Sequence, residues 1–336
     1  MATSIAIGAV VRSRAASMYD SAGRRGSDPF RGDDEVRVPM VTNQSPPNPH
    51  DMIGRDAAGY VIDRMIGEGG MGAVYSAYSP LLGKRAAIKV MLGEYTDNKD
   101  VVERFSREAK AAAAIKDLNI IDVYAASRFP QDGRMFIVMP FVEGGSLEAL
   151  CRQRGPLPID VTVAIALQVC SGLDAVHAVA IVHRDIKTQN ILIAPHHGRQ
   201  YFVYIVDFGI AKLLDPHLGN REKLTRTHSA VGTVGSMAPE QARGDRDIDA
   251  RADIYSVGMV LYRMLTGRAP YEDASMYALW EKQANGEPFP RPRSLRADVP
   301  PVIDDLIMQC LEVDRGRRPA SVPPFTRTSG QVSFFV

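Results

Sequence analysis

His183-Arg184-Asp185-Ile186-Lys187-Thr188-Gln189-Asn190 is the stretch on which the reading of this 336-residue chain turns. Asp185, with a lysine two residues on and an asparagine five residues on, puts a base, a cation and a metal-binding amide on one short loop. Those are the groups that moving a phosphoryl group onto a hydroxyl requires. A helical run ending near Val179 and the apolar pair Ile181-Val182 precede the loop, and Ile191-Leu192-Ile193 follows it, so packed elements hold it from both sides. A rigid mount of this kind suits chemistry.

Downstream, Tyr201 to Val206 reads as a strand leading into Asp207-Phe208-Gly209. Asp207 can join Asn190 as a second metal ligand, because magnesium prefers carboxylate and amide oxygens together with phosphates. His196 and His197 lie between the two strands and read as a polar hairpin tip.

Upstream, Tyr60 opens a β-like run that reaches Gly67-Glu68-Gly69-Gly70-Met71-Gly72 and resumes as Ala73-Val74-Tyr75-Ser76. With 28 glycines in the chain the Gly-x-Gly-x-x-Gly spacing is weak by itself, and its context decides. A dinucleotide fold needs a helix opening at the third glycine, whereas β-branched and aromatic residues follow here. The glycines therefore sit in a hairpin turn, which can lay backbone N–H groups over phosphates without Cβ interference. No Gly-x-x-x-x-Gly-Lys-Ser/Thr occurs, which argues against a P-loop nucleotidase.

The next strand, Arg85 to Met91, carries one lysine, Lys89, among apolar neighbours. Nineteen residues later Glu108 lies in a helix expected from Asn98 to about Ile115, with Val101, Phe105, Ala109 and Ala112 on one face. Lys89 and Glu108 gain interest as a pair that could hold a phosphate-binding cation in place. Met135 to Met139 reads as a buried strand and Pro140-Phe141-Val142-Glu143-Gly144-Gly145 as a connector between two lobes. Ser146 is placed to cap a short helix to Arg154, which Gly155-Pro156 stops. Beyond Ala238-Pro239-Glu240, helices are expected from Arg251 to Thr266, from Ser275, and to near Leu311.

Composition bounds the remaining choices. Forty basic against thirty-nine acidic residues leave a net charge of +1, so nothing global draws the chain to nucleic acid or to an anionic membrane. Cys151, Cys170 and Cys310 are far apart, which argues against a disulfide framework or a zinc site and for reduced, buried thiols. The apolar residues Ala2 to Val11 are too few to span a bilayer, and Asp174 and His177 interrupt the run Val161 to Val182, so no membrane anchor is expected. Residues 1–59 hold seven basic and seven acidic side chains but two aromatics, a composition expected to leave a largely disordered leader.

Taken together, these motifs resemble the eukaryotic-type serine/threonine protein kinases of bacteria, with Gly-Gly-Met-Gly in the glycine loop and Pro-Glu-Gln-Ala-Arg-Gly after the activation segment. The resemblance covers about Tyr60 to Arg318. It implies an α+β, two-lobed fold, a small antiparallel β-sheet lobe with one helix plus a larger, mainly α-helical lobe. The expected domain runs over 60–321, with the small lobe at about 60–139, the hinge at 140–145 and the large lobe at 146–321, before an atypical tail at 322–336.

The same resemblance assigns roles. Ile66, Gly67, Glu68, Gly69, Gly70, Met71 and Gly72 would cover ATP, and Val74, Ala87, Met139, Pro140 and Val142 would line its adenine. Lys89 would hold the α- and β-phosphates, fixed by Glu108; Asp185 would accept the substrate proton and Lys187 would steady the γ-phosphate. Asn190 and Asp207 would bind Mg2+, or Mn2+ in its place. Thr225 and Thr227 occupy the positions that become phosphorylated in the bacterial relatives. The implied partners are proteins bearing Ser or Thr, with a transient homodimer for phosphorylation in trans, and the implied location is cytoplasmic.

Departures from the pattern are specific. Pro140 takes the place of a usual Glu but keeps the carbonyl that an adenine amino group needs, and Asp117-Leu118 replaces a usual His-Pro. Thr188 replaces a common proline in the catalytic loop, and Ser236 replaces an aromatic. After Arg318-Pro319-Ala320-Ser321 the chain runs into a short tail where relatives build a last helix. That end is what favours the alternative of a catalytically weak pseudokinase or scaffold; intact Lys89, Glu108, Asp185, Asn190 and Asp207 favour the enzyme.

Overall fold

The computed structural model describes residues 49–69, 72–196, 198–207, 236–245, 247–270, 282, 287–322, 325–328 and 331–334, with backbone alone at 49–50, 94, 104, 108, 199, 325–328 and 331–334. The amino-terminal lobe is one antiparallel sheet built from β1 (Asp56–Ala57), β2 (Tyr60–Gly69), β3 (Gly72–Ser79) and β4 (Lys84–Met91), followed after helix α1 (Lys99–Ala114) by β5 (Ala125–Arg128) and β6 (Met135–Pro140). Its strand order is β1-β2-β3-β4-β6-β5.

Alternation along β4 decides which face each residue serves. Ala86, Ile88 and Val90 pack with Ile62, Tyr75, Ala77, Phe136 and Val138 on one side of the sheet. Met91 and, across the sheet, Ile137 pack on the other side against Val101, Phe105 and Ala109 of α1, the helical face expected from their spacing. Asn98 starts α1 by accepting hydrogen bonds from the Asp100 and Val101 N–H groups. Lys89 pairs with Ile137, so it lies on the α1 side.

The fold begins upstream of Tyr60, which revises the expected leader over residues 49–59. Pro49–Met52 form a 3-10 turn, β1 pairs with β2, and Met52 and Ala57 are fully buried in the small-lobe core. Arg55 Nη1 meets Asp132 Oδ2 at 2.5 Å, and buried Arg134 donates to Met52 Sδ at 3.3 Å. Two isolated apolar residues among polar ones do not register in local composition; their burial depends on partners some eighty positions away.

The carboxy-terminal lobe starts with β7 (Gly145–Ser146), α2 (Leu147–Arg154) and α3 (Ile159–Ala178). Ser146 Oγ caps α2 by accepting from Ala149 N–H, and Gly155 ends it at φ 67°. Gly144 leaves room for the chain to cross β8 (Ile191–His196), since a Cβ there would lie 2.0 Å from the Ile193 carbonyl oxygen. β8 pairs with β9 (Arg199–Ile205) in a hairpin whose tip holds His196.

Helices α4 (Pro239–Arg243), α5 (Arg251–Thr266), α6 (Pro292–Leu295) and α7 (Pro301–Cys310) follow. The helix expected from Ser275 lies outside the described residues. Leu173 and Val176 of α3, Tyr255 and Tyr262 of α5 and Ile303 and Ile307 of α7 form the centre of the large-lobe core. α3 is long and apolar enough to cross a membrane, but this burial gives it the role of a core helix. After α7 the tail does not form a further helix among the described residues: β10 (Phe325–Thr328) and β11 (Gln331–Phe334) pair as an antiparallel hairpin, with β10 beside α3.

Candidate active site

Lys89 of the amino-terminal lobe meets Asp207 of the carboxy-terminal lobe. Pairing of β2 with β3 sets Gly67 opposite Val74, pairing of β3 with β4 sets Val74 opposite Lys89, and Ala87 lies opposite Met139. Residues directly opposite in antiparallel strands share a face, and so do residues two apart along one strand. Val74, Ala87, Lys89 and Met139 therefore line one side of the sheet, next to the connector that carries Pro140 and Val142. Ile66 and Glu68 are exposed on β2. At Gly72 a Cβ would stand 2.4 Å from the Val90 carbonyl oxygen, so glycine is required for β3 to approach β4. A Cβ at Gly67 would meet nothing within 4 Å, which leaves an open approach above the strand. Gly70 and Met71 lie outside the described residues.

Lys89 is not the solvent-facing lysine that a strand usually carries. Its Nζ lies 2.9 Å from Asp207 Oδ1, with the lysine side chain 16% and the aspartate 38% exposed. Glu108 is on α1, and its side chain lies outside those described, so the expected Lys89–Glu108 pair has no geometry here.

On the large-lobe side, Asp185 Oδ2 accepts from Lys187 Nζ at 3.1 Å and from Asn190 Nδ2 at 2.9 Å. Asn190 Nδ2 also donates to the Asp185 carbonyl at 2.9 Å, which leaves its amide oxygen for another partner. The Asn190 carbonyl accepts from Val206 N–H at 2.9 Å, so the residue before Asp207 is tied to the loop. One amide oxygen just before β8 and one carboxylate just after β9 suit a magnesium ion that takes its other ligands from phosphate and water. Among the described residues no cluster of three His, Cys, Asp or Glu could hold a metal alone, and His196 instead stacks on Phe202 at 4.7 Å.

Asp253 on α5 has a role that sequence reasoning missed. It is fully buried and accepts from His183 N–H at 2.8 Å and Arg184 N–H at 2.7 Å, while His177 Nε2 lies 2.8 Å from its Oδ2. A lone acidic residue inside an apolar helix was the available signal. This grip holds Arg184 at φ 66°, and Asp207 sits at φ 58°. Left-handed backbone at non-glycine residues costs energy and persists where the surroundings enforce it, typically at functional sites. Burial lowers the Arg184 pKa, opposed by the charge of Asp253, and its Nε has no hydrogen-bond partner among the described residues. Thr225 and Thr227 lie outside the described residues.

A family model described as the protein kinase domain matches residues 60–326. The chain belongs to that family. Its kinase domain is similar to serine/threonine-protein kinase pkn3 of Myxococcus xanthus, 36% identical over 282 residues that make up 83% of this chain and 51% of that protein. It is also similar to serine/threonine-protein kinase PknH of Mycobacterium tuberculosis, 38% identical over 248 residues, 74% of this chain and 38% of the relative. The chain thus spans about half the length, or less, of these curated relatives. The crystal structure of the Mycobacterium tuberculosis PknI kinase domain superposes with a TM-score of 0.60 at 25% identity, covering 80% of this chain and 94% of that one. The two-lobed kinase fold expected from the motifs is therefore the fold observed.

Proposed function

We propose that the chain is an ATP-dependent serine/threonine protein kinase, and the observation that carries this reading is the convergence of Asp185, Lys187, Asn190 and Asp207 beneath Lys89. ATP enters the cleft between the lobes, with its adenine against Val74, Ala87 and Met139 and its phosphates under the Gly67–Gly72 hairpin. Lys89 neutralises the α- and β-phosphates. Asp185 hydrogen-bonds the substrate hydroxyl and takes its proton as the oxygen bonds to the γ-phosphorus and the bond to the β–γ bridging oxygen breaks, releasing ADP. Lys187 offsets charge on the transferred group. Asn190 and Asp207 would hold Mg2+, which when bound supplies charge neutralisation on the β- and γ-phosphate oxygens.

The substrates proposed are proteins bearing Ser or Thr, a second copy of the chain among them. The cytoplasm, which supplies ATP and keeps buried thiols reduced, is the proposed location. Incubation with radiolabelled ATP, Mg2+ and a generic basic protein tests the reading. Label should transfer with the wild type and not with Asp185→Asn; a labelled product of equal intensity from both would overturn it.

A further inference from the structure

The turn that carries Asn190, Thr188–Asn190, has three residues in 3-10 geometry and no side-chain cap at Lys187. So short a turn does not hold its own shape. Upstream of Asp185 the loop backbone is held by Asp253 of α5, as described above. Downstream, Thr188 Oγ1 lies 2.7 Å from Glu148 Oε2 on α2, against 3.4 Å from Gln189 Oε1, so its single proton goes to Glu148. The other carboxylate oxygen accepts from Arg152 Nε at 2.8 Å and from Arg263 Nη2 on α5 at 3.2 Å. Thr188 is 7% exposed and the Glu148 side chain 13%, so water competes weakly for these bonds.

We infer that Glu148 and Thr188 are positioning residues for phosphoryl transfer: Glu148 joins α2 and α5 and, through the Thr188 hydroxyl, fixes the half of the catalytic loop that bears Lys187 and Asn190. The inference deepens the kinase reading and rests on it. Asp185 and Lys187 then lie between two anchors that both reach α5, Asp253 on one side and Arg263 through Glu148 on the other. Burial alone would raise the Glu148 pKa, but hydrogen bonds from Thr188 and Arg152 and the charge of Arg263 outweigh it and lower the pKa, which keeps the group a charged acceptor. Hydrogen bonds to a charged acceptor are the short, strong kind, which suits holding a reacting group to a fraction of an ångström. The sequence offered Thr188 as a substitution for a ring that would have stiffened the loop; the structure supplies the stiffness with a side-chain hydrogen bond.

The test is steady-state kinetics and thermal melting of the full chain with Mg-ATP and a protein substrate, for the wild type, Thr188→Val, Thr188→Ser, Glu148→Gln and the Thr188→Val/Glu148→Gln double variant. Thr188→Val keeps the shape and removes the hydroxyl; since misplacing a reacting group by about 1 Å can cost ~100-fold, its kcat should fall about tenfold with KM for the protein substrate changed less than about twofold. Thr188→Ser should restore kcat to within about twofold of wild type. The double variant should lose less than the product of the two single losses, because the Thr188–Glu148 bond is common to both. Wild-type kcat in Thr188→Val, equal impairment in Thr188→Ser, additive losses in the double variant, or a loss that merely tracks melting would each overturn the positioning role. A wild type without turnover would instead remove the kinase reading and this role with it, an outcome distinct from an active wild type indifferent to Thr188→Val.

Discussion

Arg318 and Glu240 meet in a bidentate ion pair inside the large lobe, Nη1 to Oε1 at 2.6 Å and Nη2 to Oε2 at 2.8 Å, with side chains 0% and 3% exposed. The Arg318 guanidinium also lies 5.0 Å from the centre of the Tyr255 ring and donates to the carbonyls of Arg251, Glu312 and Val313. This junction at the start of the carboxy-terminal tail is intact, and no observation favours a scaffold over an enzyme.

Removing one partner of such a pair strands a buried charge, so Arg318→Ala should cost about 3–5 kcal/mol. Arg318→Lys should be intermediate, because an ammonium cannot bridge both carboxylate oxygens. Thermal melting checks both. An unchanged curve for Arg318→Ala would show that the pair does not hold α4 to the end of the lobe.

The pairing of Lys89 Nζ with Asp207 Oδ1 makes a second prediction. Lys89→Met and Asp207→Asn should each abolish phosphoryl transfer while the chain stays folded, because one removes the phosphate-binding charge and the other a metal ligand, and neither group lies in the apolar core. Asn tolerates the left-handed backbone of Asp207, so that variant tests charge rather than backbone strain. Asp185→Asn should lose about a hundred- to ten-thousand-fold in rate. Circular dichroism separates these losses from unfolding, and near-normal turnover in Lys89→Met or Asp207→Asn would sink the assignment.

The site was legible in the sequence where chemistry is carried by neighbours in the chain. Asp185, Lys187 and Asn190 lie on one loop, and Asp207 follows the strand paired with Ile191–His196. Capping and helix spacing were likewise local, which is why Asn98, Ser146 and the Arg251–Thr266 helix were found where expected. What escaped depends on distant partners. Asp253 reaches a loop seventy residues away, Glu148 bonds a threonine forty away, and Met52 is buried by strands that come after it in the sequence. No window of composition or periodicity contains both ends of such contacts. The tail hairpin escaped for another reason: the sequence showed a departure from the last helix of relatives without specifying what replaces it.

The three cysteines give a prediction about the core. Burial pushes the Cys151 thiol up to about 11, against the opposing charge of Arg263, and the Cys310 thiol up to about 12, against that of Arg318. Cys170 is likewise raised by burial. Each pKa is higher folded than unfolded, so the stability these thiols contribute is present below the ordinary value of 9.0 and lost as pH rises toward the folded values. At pH 8 a disulfide thiol reagent should label the native chain slowly and all three positions rapidly in guanidinium. Prompt labelling of Cys170 or Cys310 without denaturant would show that the α3–α7 core opens.

The last prediction is self-activation through Thr225 and Thr227. Both lie between Asp207 and Ala238-Pro239-Glu240 in the sequence. Arg184 supplies the physical reason. Its backbone is fixed by Asp253, its side chain is half-buried, its Nε has no partner among the described residues, and its Nη2 makes a long 3.4 Å contact to the Ile248 carbonyl. A phosphothreonine brings about −1.5 to −2 charges and oxygens that accept paired N–H bonds from a guanidinium, which would satisfy that cation and tie the segment to Asp185. Mass mapping after incubation with Mg-ATP should place phosphate on one or both threonines in the wild type and on neither in Asp185→Asn. Replacing both by alanine should lower kcat toward other proteins while leaving the melting curve in place, whereas Arg184→Met should leave the threonines modifiable but remove the activation they bring. An unmodified segment in a preparation that phosphorylates other proteins well would mean that activation does not run through these threonines.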